Sequence, residues 1–288
     1  MQIDFTVAVV GNPNCGKTTL FNALTGARQH VGNWPGVTVE KKTGDYAYQD
    51  KLVEIVDLPG TYSLEADSEI SLDERIARDY VAAREADLII NILDASNIER
   101  NLYLTSQLIE MRVPMIVVLN MMDVVAQRGL EIDIEQLSQQ LACPVIPVSA
   151  SIRQGIKLLK NSINLAALEQ PIPHLDIEYH PQIEQAISTL SKDLQAIAAT
   201  HYCDTRWLSV RLLERDTLAQ KIAGTDYVRH AAALEQAIEE ATDDEVDILA
   251  ADARYGFVNK ISQSCVNKTH EVSRSMTNKI DHWVLNRY

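Results

Sequence analysis

The chain has 288 residues, 46% of them hydrophobic, and its 40 acidic and 26 basic side chains give a formal net charge of −14. That much apolar material fills a core and excludes global disorder, and the length suits about two domains at roughly 100–200 residues each. The charge is shared, with 14 basic and 21 acidic side chains in residues 1–166 and 12 and 19 in residues 167–288, a surface that repels phosphate backbones and argues against a nucleic-acid partner.

Cys15, Cys143, Cys203 and Cys265 form no C-x-x-C pair, so a reduced setting fits better than a disulfide framework or a zinc site. No basic and apolar leader opens the sequence, and no run of about 18 apolar residues occurs, so the chain is expected to be soluble.

Residues 1–165 alternate short apolar runs with helical patterns, which predicts an α/β fold with a mostly parallel sheet and crossover helices. Strands are predicted over 5–10, 52–57, 88–94, 115–120 and 145–148. A further run over 43–48 pairs with 52–56 as a hairpin about Gln49-Asp50, placing one antiparallel strand at an edge. Ligands of such sheets sit at the carboxyl ends of strands.

The first strand ends in Gly11-Asn12-Pro13-Asn14-Cys15-Gly16-Lys17-Thr18-Thr19, and a helical pattern starts near Lys17 and stops at Gly26. This is G-x-x-x-x-G-K-[ST] between strand and helix. Its glycines let successive N–H groups point into one concavity, where the helix N-terminus also favours an anion. Lys17 is expected to reach the β- and γ-phosphate oxygens of a nucleotide, and the Thr18 hydroxyl to ligate Mg²⁺.

Between this loop and the next strand lies His30-Val31-Gly32-Asn33-Trp34-Pro35-Gly36-Val37-Thr38-Val39-Glu40. Two glycines and a proline predict an irregular, mobile segment. Thr38 is the natural second hydroxyl ligand for Mg²⁺, released when the γ-phosphate leaves. Trp34 reads equally as a partner-facing aromatic or a lid.

Asp57-Leu58-Pro59-Gly60 follows the strand 52–56. Asp57 is expected to hold Mg²⁺ and the Gly60 N–H to sense the γ-phosphate. Asn120-Met121-Met122-Asp123 follows 115–119. A carboxylate at Asp123 accepts from guanine N1–H and N2–H, an edge adenine lacks, so Asp123 is expected to select guanine. Asn120 would tie this loop to the phosphate loop, and Met121 stands where a lysine is usual. Ser149-Ala150-Ser151 ends the series, with a backbone N–H available to guanine O6.

From about Pro171 the texture changes. Gln170-Pro171-Ile172-Pro173-His174 reads as a linker, and helices are predicted over 183–199, 207–215, 227–241 and 246–266. Ile183, Ala186, Ile187, Leu190, Leu194 and Ile197 form one apolar stripe and read as bundle core. Glu239, Glu240, Asp243, Asp244, Glu245 and Asp247 form an acidic run with no basic partner in sequence, read as solvated helix ends in preference to an iron-collecting site. Residues 254–288 carry six basic and two acidic side chains, which suits approach to an anionic leaflet or an exposed helix.

These motifs, with Val31 to Glu40, Asp57 to Leu64, Asp94-Ala95-Ser96-Asn97-Ile98-Glu99-Arg100-Asn101-Leu102-Tyr103-Leu104, Ile248-Leu249-Ala250-Ala251-Asp252-Ala253-Arg254-Tyr255 and Asp281 to Arg287, closely resemble the cytoplasmic part of the bacterial ferrous iron transport protein B (FeoB) family. The resemblance covers nearly the whole chain. It implies a P-loop, Ras-like GTPase domain over 1–168 and an all-α helical domain over 169–270, likened in that family to a GDP-dissociation inhibitor. A juxtamembrane tail over 271–288 would lead to a membrane domain not included here, at the cytoplasmic face of the inner membrane.

The resemblance implies GTP and GDP as substrate and product, Mg²⁺, stimulation by K⁺ held through Asn14, and Lys17, Asn14, Thr38 and Gly60 as the residues of hydrolysis. It implies Asn12, Pro13, Cys15, Gly16 and Thr19 as further nucleotide contacts and leaves room for a homo-oligomer. Thr61 replaces the water-orienting glutamine of Ras-like enzymes, so the group that positions the attacking water is unassigned. Glu65, Asp67 and Glu69 read as a solvated acidic loop or as neighbours of that water. The competing reading is a soluble potassium-dependent GTPase of the translation or RNA-modification type, which the acidic charge disfavours.

Overall fold

A computed structural model describes residues 3–26, 29–64 and 71–268. Its first half runs β1 (Phe5–Gly11), α1 (Lys17–Thr25), β2 (Gln29–Asn33), β3 (Glu40–Tyr48), β4 (Lys51–Asp57), α2 (Leu72–Ala82), β5 (Leu88–Asp94), α3 (Ile98–Glu110), β6 (Met115–Asn120), α4 (Met122–Gln127), β7 (Leu130–Ile132), α5 (Ile134–Leu141), β8 (Val145–Pro147) and α6 (Ile156–Glu169). Seven strands form one sheet in the order β2-β3-β4-β1-β5-β6-β8. β1 pairs in parallel with β4 and β5, and β5, β6 and β8 continue in parallel.

The central strands are apolar on both faces because helices cover both. Val7, Val9, Ile90 and Val118 pack on the side of α1 and α6, and Ala8, Val10, Leu93 and Val117 on the other side. The predicted hairpin is present, with Gln49 at φ 46° and Asp50 at φ 62°, the two positive values a strand-matching two-residue turn requires.

The segment expected to be irregular is ordered instead. Gln29–Asn33 forms an edge strand antiparallel to the start of β3, and Trp34-Pro35-Gly36-Val37 closes it, with Val37 N–H donating to Trp34 O at 3.3 Å and Gly36 at φ 75°. Proline then glycine at the two central positions is what such a turn favours. The same glycine and proline that suggested an irregular segment therefore build a hairpin. Trp34 is neither partner-facing nor a free lid: it is buried edge-on to Tyr80 of α2, centroids 5.4 Å apart, with Lys41 Nζ 4.6 Å over its ring.

The second half is helical: α7 (Pro181–Thr200), α8 (Thr205–Leu213), α9 (Thr217–Ala223), α10 (Thr225–Thr242) and α11 (Val246–Cys265). The α7 stripe is core, with Ile183, Ala186, Ile187, Leu190 and Leu194 buried and Ile197 packed at its edge. α9 escaped prediction because two turns carry too little periodicity. Its signal was the cap, since Asp216 Oδ1 accepts from Leu218 N–H at 2.7 Å and Ala219 N–H at 2.8 Å. The predicted linker is docked: Met115 N–H donates to Pro171 O at 2.9 Å, and Arg112 Nη1 reaches Pro173 O and Leu175 O. The acidic run does find a basic neighbour, Arg215, 3.8 Å from Glu239 and 2.5 Å from Glu235.

The bundle shares one apolar core with the α2/α3 side of the sheet. Buried charges cross the same boundary. Arg254 of α11, fully buried, meets Glu214 at 2.6 Å and 3.1 Å and Glu110 of α3 at 3.0 Å, while Arg211 of α8 adds a 3.1 Å pair to Glu214. Arg78 of α2 donates to Asp216 at 3.3 Å. α11 ends one residue before its predicted limit, and a last strand, β9 (Val266–Lys268), pairs antiparallel with β7. No helix among the described residues is long and apolar enough to cross a membrane. Glu65, Asp67, Glu69 and the tail 271–288 lie outside the described residues.

Candidate functional site

The phosphate loop is shaped by close approaches that only glycine permits. A Cβ on Gly11 would lie 2.5 Å from Ile92 Cγ2 and 2.8 Å from Cys15 Sγ, and one on Gly16, at φ 90°, would lie 2.2 Å from Asn120 Nδ2. Asn14 also takes a positive φ of 67°, tolerable for asparagine. α1 begins at Lys17 with no side-chain cap and no acidic residue in its first turn. Its first N–H groups, which have no partner within the helix as at any helix start, are left to an anion at the phosphate loop.

Three strand ends converge on that loop. Val9 of β1 stands opposite Asp57 of β4, and Lys17 Nζ lies 3.1 Å from Asp57 Oδ1 with both side chains largely buried. Burial pushes the Asp57 carboxyl above its ordinary range, and the adjacent Lys17 ammonium opposes that shift. Leu58 N–H donates to Val9 O at 3.1 Å and Thr61 N–H to Gly11 O at 3.2 Å, which brings Gly60 against Pro13. Thr61 is spent locally: its hydroxyl bonds Ser63 O.

Asn120, at the end of β6, joins the remaining two loops. Its Nδ2 donates to Cys15 O at 2.9 Å, and its Oδ1 accepts from Ala150 N–H at 3.0 Å. Asp123 N–H donates to Ser149 Oγ at 3.0 Å, and Met122 N–H to Val148 O at 3.2 Å. Met121, at φ 63°, turns the chain into α4, leaving the Asp123 carboxylate half-exposed in the first turn.

The predicted residues Asn12 to Thr19, Asp57, Gly60, Asn120 to Asp123 and Ser149 to Ser151 thus meet along one edge. Thr38 does not join them. It lies exposed in the β2–β3 turn and makes no hydrogen bond among the described residues. The Cys15 side chain is buried, and burial pushes its thiol up to about 11, away from thiolate chemistry.

The individual motifs gave no sign of the loop's outer wall. Asn12 Nδ2 donates to Arg100 O at 3.4 Å, and a cavity of about 710 Å³ opens between Asn12–Cys15, the start of α3 and Tyr255 of α11. Asp94 braces that wall by accepting from Ser96 N–H at 2.8 Å and Asn97 Nδ2 at 2.7 Å. The signal was the stretch Asp94 to Leu104, which single motifs do not explain.

Residues 5–163 match the family described as ferrous iron transport protein B, and residues 179–267 match the FeoB cytosolic helical domain. The Fe(2+) transporter FeoB of Legionella pneumophila (strain Paris) is 44% identical over 281 residues, covering 97% of this chain and 36% of the relative. That of Escherichia coli (strain K12) is 43% identical over 285 residues, 98% of this chain and 36% of the relative. The chain thus spans little more than a third of these transporters' length.

Among solved structures, the cytosolic domain of L. pneumophila FeoB is 43% identical with a TM-score of 0.80, covering 91% of this chain and 100% of that one. A point mutant of S. thermophilus NFeoB bound to GDP is 34% identical with a TM-score of 0.82, again covering 91% and 100%. The cytosolic domain of the T. maritima FeoB iron transporter in its GMPPNP form is 33% identical with a TM-score of 0.79, covering 91% and 99%. The chain belongs to the ferrous iron transport protein B family, of which it carries the G domain and the cytosolic helical domain.

Proposed function

We propose that this chain binds and hydrolyses GTP at the edge described above, as the cytoplasmic regulatory module of a bacterial Fe²⁺ transporter. The observation that carries the reading is Asn120, whose one side chain holds the phosphate loop through Cys15 O and the base loop through Ala150 N–H. A single amide therefore sets the distance between triphosphate and base pockets.

The roles follow from the chemistry of each group. The N–H groups of 14–19 and the Lys17 ammonium receive the α-, β- and γ-phosphates. Lys17 is held ready by Asp57 and must exchange that carboxylate for phosphate oxygens. Asp123 accepts from guanine N1–H and N2–H, the Ala150 region offers N–H to O6, and Met121 covers the base. Gly60, close against Pro13, offers the N–H that registers the γ-phosphate.

The Thr18 hydroxyl and Asp57 carboxylate are hard oxygen donors beside the phosphate opening and suit Mg²⁺, with Thr38 as a third donor once the β2–β3 turn swings inward. Asn14, exposed at the loop's crest, offers an amide oxygen suited to K⁺. Bound there, these cations supply positive charge to the phosphates. The group that orients the attacking water is unassigned, and slow turnover is expected.

We assign residues 1–168 to the G domain and 169–270 to the helical domain, with 271–288 leading towards the membrane part found in full-length relatives. The module would lie at the cytoplasmic face of the inner membrane. Its nucleotide state would reach that part through α2, α3 and the bundle, which share a core and buried ion pairs. Hydrolysis compared in K⁺ and Na⁺, with and without Asn14→Ala, tests the cation role: a K⁺ stimulation that Asn14→Ala abolishes is expected. Absence of GDP heat in calorimetry would overturn the whole reading.

A further inference from the structure

The helical domain's last helix does not leave the molecule freely. After α11 the chain turns into β9, where Val266, Asn267 and Lys268 stand opposite Ile132, Glu131 and Leu130 of β7. Asp133 N–H extends the ladder by donating to Cys265 O at 2.9 Å, and Ser264 Oγ donates to Gln140 Oε1 of α5 at 2.9 Å. Cys265 is fully buried and Ile132 nearly so.

β7 in turn follows α4 with only Arg128 and Gly129 between them. Gly129, at φ 63°, makes the turn, and Arg128 Nη1 donates to Ser96 O at 3.1 Å. Asp123 lies in the first turn of α4. The base-reading carboxylate therefore sits on a short helix anchored at one end by Asn120 and Ser149 and at the other by a strand paired with β9.

We propose that β9 is a positioning element for guanine recognition: the Val266–Lys268 strand holds α4, and with it the Asp123 carboxylate, in register with the base. The inference rests on the nucleotide site proposed above. A displacement of β9 is thereby delivered through β7 to the base pocket. By reciprocity a bound base tightens the clamp. α4 has only six residues, too few to hold its own axis, so its alignment must come from its two ends.

Asn267→Pro tests this in the full chain, since proline has no N–H for the ladder and a fixed φ. The readout is the ratio of GDP to IDP affinity, because inosine lacks the exocyclic N2 that a well-placed Asp123 carboxylate accepts from. The wild-type chain should bind GDP well above IDP, which establishes the nucleotide reading independently. In Asn267→Pro the ratio should fall at least about threefold, with GDP release faster, as a displaced carboxylate loses one of its two bonds first. If the proline variant does not fold, Asn267→Gly, which keeps the N–H and only loosens the strand, should lower the ratio in the same direction by less. An unchanged ratio in a folded variant, or a change confined to GTP with GDP unaffected, overturns the proposal while leaving the GTPase reading intact.

Discussion

Replacing Arg254 with methionine removes the centre of the charge cluster between the two domains. Arg254 is fully buried and reaches Glu214 at 2.6 Å and 3.1 Å and Glu110 at 3.0 Å. Without it Glu214 retains the 3.1 Å pair to Arg211. Glu110 retains the Tyr179 hydroxyl and an Arg211 guanidinium at 3.9 Å. Methionine fills much of the volume, so the cost is mainly electrostatic, about 3–5 kcal/mol for one partner taken from a buried cluster.

At roughly 2–4 °C per kcal/mol for a chain of this size, the Tm should fall by about 6–20 °C. Calorimetric melting near neutral pH measures this, and the pH dependence adds a second check. Burial would raise the Glu214 pKa, yet Arg254 and Arg211 hold it below its ordinary range. Its contribution in the wild type is thus present at neutral pH and lost only as pH falls through that lowered value. In the variant both buried carboxyls take up protons more readily, so their destabilisation eases as pH falls. The gap between the two proteins should narrow from about pH 8 to about pH 5. Arg254→Lys, which keeps the charge but not the fork, should fall between. A Tm shift below about 2 °C, or a gap that widens in acid, would refute the reasoning.

Asp123→Asn should weaken GDP by about 10–150-fold, the loss of one charge-assisted hydrogen bond at about 1.5–3 kcal/mol. It should also improve binding of xanthosine diphosphate, whose C2 carbonyl accepts from the new amide; calorimetry with both nucleotides decides. Gly16→Ala must place a methyl where Asn120 Nδ2 now lies, at a positive φ, so it should abolish nucleotide binding in the same assay while far-ultraviolet circular dichroism stays near wild type. Asn120→Ala severs both loop ties and should cost more GDP affinity than Ser149→Ala, which removes one bond to a backbone N–H; equal losses would contradict the hub role.

Local sequence settled what local physics controls. Gly11, Gly16, Lys17 and Thr18 dictate the phosphate loop because only glycine fits where neighbours approach within 3 Å. The apolar runs at β5, interrupted only by Asn91, and at β6 betray strands buried on both faces, and Gln49-Asp50 marks its turn. The polar residues that end those strands were legible as a site because a parallel sheet carries them to one edge.

Whatever depends on partners distant in the chain needed the tertiary structure. The Pro35-Gly36 stretch reads as an irregular segment in isolation, yet it is a hairpin because β3 offers an unpaired edge and Tyr80 a seat for Trp34. α9 and β9 are too short to announce themselves and exist through Asp216 and β7. Glu110, Glu214, Arg211 and Arg254 look like surface charges along the sequence, but a shared core draws them together, where low polarity makes each dependent on the others. A residue's chemistry and near neighbours are written in the chain; only packing decides which charges lose their water, and so which contacts bind the two domains.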